Sequence, residues 1–503
     1  MANFSILVFL LLLFTTNTFS LQQEIELLKM TQTQVSQIMN NLLGKLGNEA
    51  MLVVDDHSHQ NYSSTSVALR DCANLYEESE YRLSYMMNYS MNSSYYYYDN
   101  DDALSWVSAL MTNQQTCLDG LKEKGYVGAH DEVLENGNLT MLLGQALDLY
   151  AKRKGKAKPK GAAERAFSRS SSNGGIMLAS WNPSTSKADF IVSQDGSGTH
   201  RTIRDAVEAL ASRGSKNEER RIIYVRAGVY HEKVVIGPKL KNVMFVGDGM
   251  DRTIVTGSRS AADGSSTLGS ATFDISGDGF WARDMTFENT AGPRKHQAVA
   301  LKSGSDFSVF YRCRFRAYQD TLYVYANRQF YRDCQIYGTI DFIFGDATVV
   351  IQNSDIYVRK PMSSQSNYIT AQGRENPKKP TGISIINCKV RPTSDFVTSE
   401  SSIKTFLGRP WKKYSRTVVM KSDLDGLIDP KGWGPWDGEF AIRTLYYGEY
   451  MNYGSGASLR NRVNWPGFHV LNSANEASPF SVGEFLQGGR WIPASGVPFS
   501  SGI

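Results

Sequence analysis

The sequence predicts a mainly β protein, a parallel β-helix preceded by an α-helical bundle. Helical apolar periodicity is confined to roughly the first 150 residues, the texture then changes to short β-branched and aromatic runs, and those runs carry a degenerate repeat of about 20 residues. At 503 residues, with 21% charged and 41% hydrophobic side chains, the chain is long enough for more than one globular unit.

Residues 1–20, MANFSILVFLLLLFTTNTFS, hold an apolar run from Ile6 to Phe14 followed by small polar residues. The run is short for a bilayer span, so a cleaved secretory signal is expected, leaving a secreted, extracellular chain with no membrane segment. The sequons at Asn61, Asn88, Asn92 and Asn138 fit that compartment as glycosylation sites.

Residues 21–150 read as helical. SVALRDCANLYEESEYRLSYMM and DALSWVSALMTNQQTCLDGLKEK repeat apolar positions at threes and fours, with Asp101 or Asp102 as the N-cap of the second. Cys72 and Cys117 fall on these two helices, so a bridge between them would staple an antiparallel pair. Residues 151–186, opening KRKGKAKPKGAAERAFSRSSSNGG, lack apolar periodicity and form a basic linker or processing region. Charge follows the same division: 6 Lys/Arg against 18 Asp/Glu over 21–150, 8 against 1 over 151–180, and 40 against 31 from Trp181 onward. The basic C-terminal part suits a polyanionic partner.

From residue 187 to 503 the β-rich runs can be laid over one another. Met285, Cys313, Cys334, Ser354 and Cys388 align, and two places beyond them stand Phe287, Phe315, Ile336, Ile356 and Val390. This is one solenoid coil repeated, and its composition selects a parallel β-helix over a helical array. Residues one coil apart stack at about 4.8 Å. Cys313 and Cys334 are therefore close enough in Cα spacing for a disulfide, and Cys388 is left as a buried thiol. By the same reasoning Asp320 in YQDTL and Asp341 in TIDFIFG, 21 positions apart, become neighbours, as do Gln297 and Gln319.

Neighbouring carboxylates cannot both ionise at ordinary cost, so one is pushed toward an acid while the other serves as nucleophile or base. With two amide side chains beside them, the set resembles an acyl-transfer site with an oxyanion hole. Paired carboxylates also serve glycoside hydrolysis, and Asp–Gln ladders also fill solenoids structurally. The sequence holds no G-x-S-x-G elbow, H-E-x-x-H, C-x-x-C pair or P-loop.

The motifs GVYHE (228–232), HQAVAL (296–301), YQDTLY (318–323), GTIDFIFG (338–345) and LGRPWKKYSRTV (407–418) resemble those of plant pectin methylesterases, in the family's order. The helical part, through ALRDCANLY and LSWVSALMTNQQTCLDG, resembles the inhibitor-like pro-region of the longer members, with Cys72 and Cys117 but without the usual second cysteine pair. The resemblance implies a right-handed parallel β-helix, a monomer acting on methylated homogalacturonan in the plant cell wall, no metal or organic cofactor, and no nucleic-acid partner. It further implies an inhibitor domain, intramolecular or separate, as a protein partner. Carried over residue by residue, Asp341 matches the nucleophile, Asp320 the acid/base, and Gln297 and Gln319 the oxyanion stabilisers. Arg409 matches the residue that keeps Asp341 ionised, Trp411 a sugar-stacking platform and Thr267 a substrate contact. Shared scaffold and substrate keep a β-helical pectate lyase or polygalacturonase as the rival enzyme class, and a wall-bound protein with a retired site as the non-enzyme one.

Overall fold

The computed structural model describes residues 2–53, 64–91, 99–125, 138–153, 177–213, 219–396 and 403–503. The chain divides into two compact units, Met1–Ala162 and Ala163–Ile503.

The first unit is a bundle of α1 (Ala2–Val53), α2 (Ser64–Met91), α3 (Asn100–Glu123) and α4 (Asn138–Arg153). Buried positions recur at threes and fours, as Leu28, Thr31, Val35, Ile38 and Leu42 do on α1, which is the stripe one helix presents to its neighbours. The Cys72–Cys117 disulfide joins α2 to α3 across a Cα separation of 4.7 Å. The cap of α3 is Asp99, not Asp101 or Asp102. Its carboxylate accepts from the Asp101 N–H while Asp102 reaches back to the Asp99 N–H, a reciprocal pair that satisfies two of the orphan donors of the first turn. Glu24 on α1 accepts from the Tyr150 hydroxyl at 2.9 Å and Arg153 at 2.6 Å, tying both ends of the bundle sequence together. Asn88 and Asn138 are exposed, whereas Asn61 and Asn92 lie outside the described residues. The apolar run Ile6–Phe14 falls where side chains are not described; among the described residues no helix is long and apolar enough to cross a membrane.

The second unit is a coil of parallel strands stacked into sheets of eleven, seven and eight strands. The repeat read from sequence is the register found: Phe315 pairs with Phe287 and Ile336, Ile336 with Ile356, and Ile356 with Val390. These side chains fill the inside of the coil. A fifth helix, α5 (Ile203–Ser212), is capped by Thr202. It lays Ile203, Ala206, Val207 and Leu210 against the interior at the first rungs, covering an end that would otherwise be open.

The predicted Cys313–Cys334 disulfide is not formed. Both thiols and Cys388 are free and buried. The two cysteines occupy equivalent places on adjacent rungs, since the Gln335 N–H bonds to the Cys313 carbonyl. In-register parallel strands hold equivalent Cβ atoms about 4.8 Å apart and pointing the same way, whereas a disulfide wants about 3.8 Å. The Cys334 sulfur instead donates to the Phe310 and Arg332 carbonyls at 3.4 Å.

The outer face of the eleven-stranded sheet is covered by the C-terminal segment and by residues just after the basic stretch, with Leu178 and Trp181 in the same cluster as Trp281, Phe330, Phe480 and Trp491. Buried Arg283 donates to the carbonyls of Leu178 at 2.6 Å and of Ala179 and Trp181 at 2.9 Å. Residues 177–186, which the sequence reading assigns to the linker, begin with a segment clamped onto the β-helix.

Candidate active site

Successive turns leading into the seven-stranded sheet carry the predicted residues. Gln319 and Asp320 sit between the strands Arg314–Arg316 and Leu322–Val324, and Asp341 sits one coil on, between Gln335–Gly338 and Ile343–Gly345. Leu322 pairs with Ile343, which puts Asp320 and Asp341 at the same place on adjacent turns, and the Asp320 N–H bonds to the Ile340 carbonyl at 3.0 Å. Both aspartates have positive φ, 62° and 50°. Aspartate tolerates this left-handed conformation better than most residues, so the sharp turn and the carboxylate are met by one residue type.

Asp341 is 5% exposed and Asp320 7%. Arg409, just past the strand Thr405–Gly408, forks onto Asp341 with Nε at 2.8 Å and Nη2 at 2.6 Å. Its guanidinium lies 4.3 Å from the Tyr368 ring centroid and 4.4 Å from that of Trp436, held between two aromatic faces. Among the described residues no side chain donates a hydrogen bond to Asp320. Burial pushes the Asp320 carboxyl well above its ordinary range, with the Asp341 charge adding to the rise and Arg409 opposing it. Burial leaves the Asp341 carboxyl raised as well, and the Arg409 hydrogen bonds and charge offset only part of that rise. Of the two, Asp320 is the one that holds a proton first.

Gln297 and Gln319 are half-buried, and neither amide is hydrogen-bonded to another described residue. Their backbones stitch the turns, the Ala298 N–H bonding to the Gln319 carbonyl at 3.3 Å. Thr267 lies one coil before Gln297, in a turn where its carbonyl accepts from the Ser270 hydroxyl at 2.7 Å. Trp411 stands edge-on to Phe344 at 6.0 Å and rests on Gly373, where an added Cβ would come within 2.8 Å of the indole.

Four site aromatics escaped the sequence reading. Tyr323 and Phe344 stack at 4.1 Å beside the turns, each three residues after its aspartate, so the shared spacing of DTLY and DFIF was a usable signal. Tyr368 and Trp436 reach Arg409 from the coils on either side of it, and nothing in their local sequence marks them. The arrangement offers a guanidinium-held carboxylate, a protonatable carboxyl beside it, unengaged amide donors and an aromatic stripe.

Comparison with known proteins adds to this geometry. The family model described as Pectinesterase matches residues 189–489, and that described as Plant invertase/pectin methylesterase inhibitor matches 17–149. A probable pectinesterase/pectinesterase inhibitor 36 of Arabidopsis thaliana is 49% identical, covering 99% of this chain and 98% of its own. Pectinesterase 2 of Citrus sinensis is 48% identical over 87% of this chain and 82% of its own. Among solved structures, a pectin methylesterase from carrot is 52% identical with a TM-score of 0.63, covering 64% of this chain and 100% of that one. One from Aspergillus niger is 32% identical with a TM-score of 0.52, covering 61% and 97%.

Proposed function

Because this chain belongs to the pectinesterase family, we propose that its carboxylate pair performs that family's reaction by a covalent route. The protein is a pectin methylesterase: it hydrolyses the methyl esters of pectin to free carboxylates and methanol, acts on the plant cell wall, and carries an inhibitor-like N-terminal region.

In the proposed route the Asp341 carboxylate attacks the ester carbonyl carbon, and the carbonyl oxygen takes up the negative charge. The Gln297 and Gln319 amide N–H groups stabilise that oxyanion. Collapse expels the methoxy oxygen, Asp320 donates its proton to it, and methanol leaves an anhydride between Asp341 and the galacturonate. Asp320, now ionised, takes a proton from water as the water attacks the anhydride, which releases the acid product and restores both aspartates. Trp411 stacks on sugar and Thr267 contacts it. The observation that carries the assignment is the asymmetry of the pair: the same arginine fork that keeps Asp341 ionised leaves Asp320 without a partner.

The secretory signal at 1–20, glycosylation at the four sequons, a monomeric state and restraint of the β-helix by the helical unit belong to the same proposal. The test is methanol release from highly methylated pectin, measured on the full chain, on residues 177–503, and on an Asp341→Asn variant. Methanol without chain shortening, lost in Asp341→Asn while the fold is retained, is the expected result. Silence of the full chain with activity of the shorter one would identify the helical unit as the inhibitor. Turnover by Asp341→Asn would refute the mechanism.

A further inference from the structure

Arg409 restrains only one of the two aspartates. Asp320 is buried and its carboxylate has no side-chain partner, so its turn is held by the backbone ladder and by a side chain that reaches it from another coil. That side chain is Arg359, which no motif singled out.

Arg359 follows the strand Asp355–Val358, two coils beyond the strand Arg314–Arg316 that leads into the Gln319–Asp320 turn. The register Arg316, Tyr337, Tyr357 places these coils directly above one another. The side chain reaches back across the intervening coil: Nη1 donates to the Ala317 carbonyl at 2.9 Å and Nη2 to the Tyr318 hydroxyl at 2.6 Å. Its guanidinium lies 3.6 Å from the Tyr318 ring centroid. Its own N–H bonds to the Gly338 carbonyl at 2.8 Å, on the turn that leads to Asp341, and the Thr339 N–H from that turn bonds to the Tyr318 carbonyl at 2.9 Å. One residue therefore grips both turns, fixing the pair of positions immediately before Gln319 and Asp320 against the approach to Asp341.

We propose that Arg359, through Tyr318, is a positioning residue that sets the distance and orientation of Gln319 and Asp320 relative to Asp341. The proposal rests on the roles assigned to those residues above. It differs from an electrostatic role, because the Arg359 guanidinium is bonded to a carbonyl and a hydroxyl rather than to either carboxylate. Displacement of a reacting group by about 1 Å can cost up to about a hundredfold in rate. The expected signature is thus a lower kcat with KM and the pH limbs unmoved.

The experiment compares methanol release by the full chain, Arg359→Met, Arg359→Lys, Tyr318→Phe and Asp341→Asn, each normalised to folded protein by its thermal transition. Arg359→Met should lower kcat by roughly ten- to a hundredfold at nearly constant KM. Arg359→Lys, which keeps the charge and one donor, should recover part of the loss, and Tyr318→Phe should lose several-fold. If Arg359→Met does not fold, Arg359→Lys and Tyr318→Phe decide. Wild-type kcat per folded molecule in those variants, with Asp341→Asn inactive, overturns the positioning role. Turnover by Asp341→Asn, or silence of wild-type residues 177–503 as well as of the full chain, would instead overturn the reading on which it rests; where only the full chain is silent, the same variants are read in residues 177–503.

Discussion

Replacing Arg409 by methionine removes both donors from Asp341 while leaving an apolar stem of similar length between Tyr368 and Trp436. The lost fork is two charge-assisted hydrogen bonds at 2.8 and 2.6 Å onto a buried carboxylate, from an arginine whose side chain is 21% exposed. Breaking one side of a buried ion pair costs about 3 kcal/mol or more, and with the fork gone burial pushes the Asp341 carboxyl further up. The sign follows from linkage. Below the unfolded carboxylate range both states hold the proton and the variant's deficit from this group is smallest. As pH rises the unfolded chain releases the proton while the folded variant retains it, so the deficit grows toward about 3 kcal/mol at neutral pH. Activity carries the same information, because in the proposed route attack needs Asp341 ionised. The acidic limb of kcat/KM for methanol release should move to higher pH in the variant. An acidic limb that stays in place, together with unchanged stability between pH 4 and pH 7, would refute the claim that Arg409 is what holds Asp341 ionised.

Two further outcomes are expected. Gly373→Ala pushes a methyl group into the Trp411 indole, which an added Cβ would approach to 2.8 Å. Tilting that platform at a cost of about 1 kcal/mol should raise KM for pectin about fivefold with little change in kcat or melting temperature, as steady-state kinetics would show. A chain beginning at residue 187 loses Leu178 and Trp181, which are 0% and 3% exposed, and strands the Arg283 donors. Burial of two such side chains is worth about 4 kcal/mol. The shorter chain should therefore unfold at clearly lower denaturant than one beginning at 177, and equal midpoints would show that the clamp contributes nothing.

The coil period was legible because a parallel β-helix repeats one environment per rung: the inward place in each strand must be apolar, so Phe315, Ile336, Ile356 and Val390 betray the register even without identity among them. Asp320 and Asp341 were legible for the same reason, as a costly residue type recurring at the coil spacing. The thiol pairing failed because the rung spacing satisfies the Cα requirement of a disulfide but not the Cβ one, and sequence alone supplies only the former. Asp99 was passed over as a cap because Asp101 and Asp102 lie equally close to the first apolar turn, and only the reciprocal bond to Asp102 separates them. Tyr368, Trp436 and Arg359 act across coils of unequal length. Their neighbours in space are set by the insertions between rungs, which leave no period to read.

The two aspartates are served by different arginines for a physical reason. An arginine placed on Asp320 would lower its carboxyl and, in the proposed route, remove the proton that the leaving methoxy group needs, so that turn has to be held through groups other than its carboxylate. Arg359 does this by binding a carbonyl and a phenol, while Arg409 binds the carboxylate itself. The arrangement has a stability cost. A carboxyl raised by burial helps the fold only below the unfolded carboxylate range, and that help is lost as pH rises through its folded value. Near neutrality the folded state therefore carries a buried acid it would be more stable without. The backbone ladders of the stacked rungs and the filled coil interior offset that cost, which is why the site can sit on turns of the solenoid rather than on a separate lid.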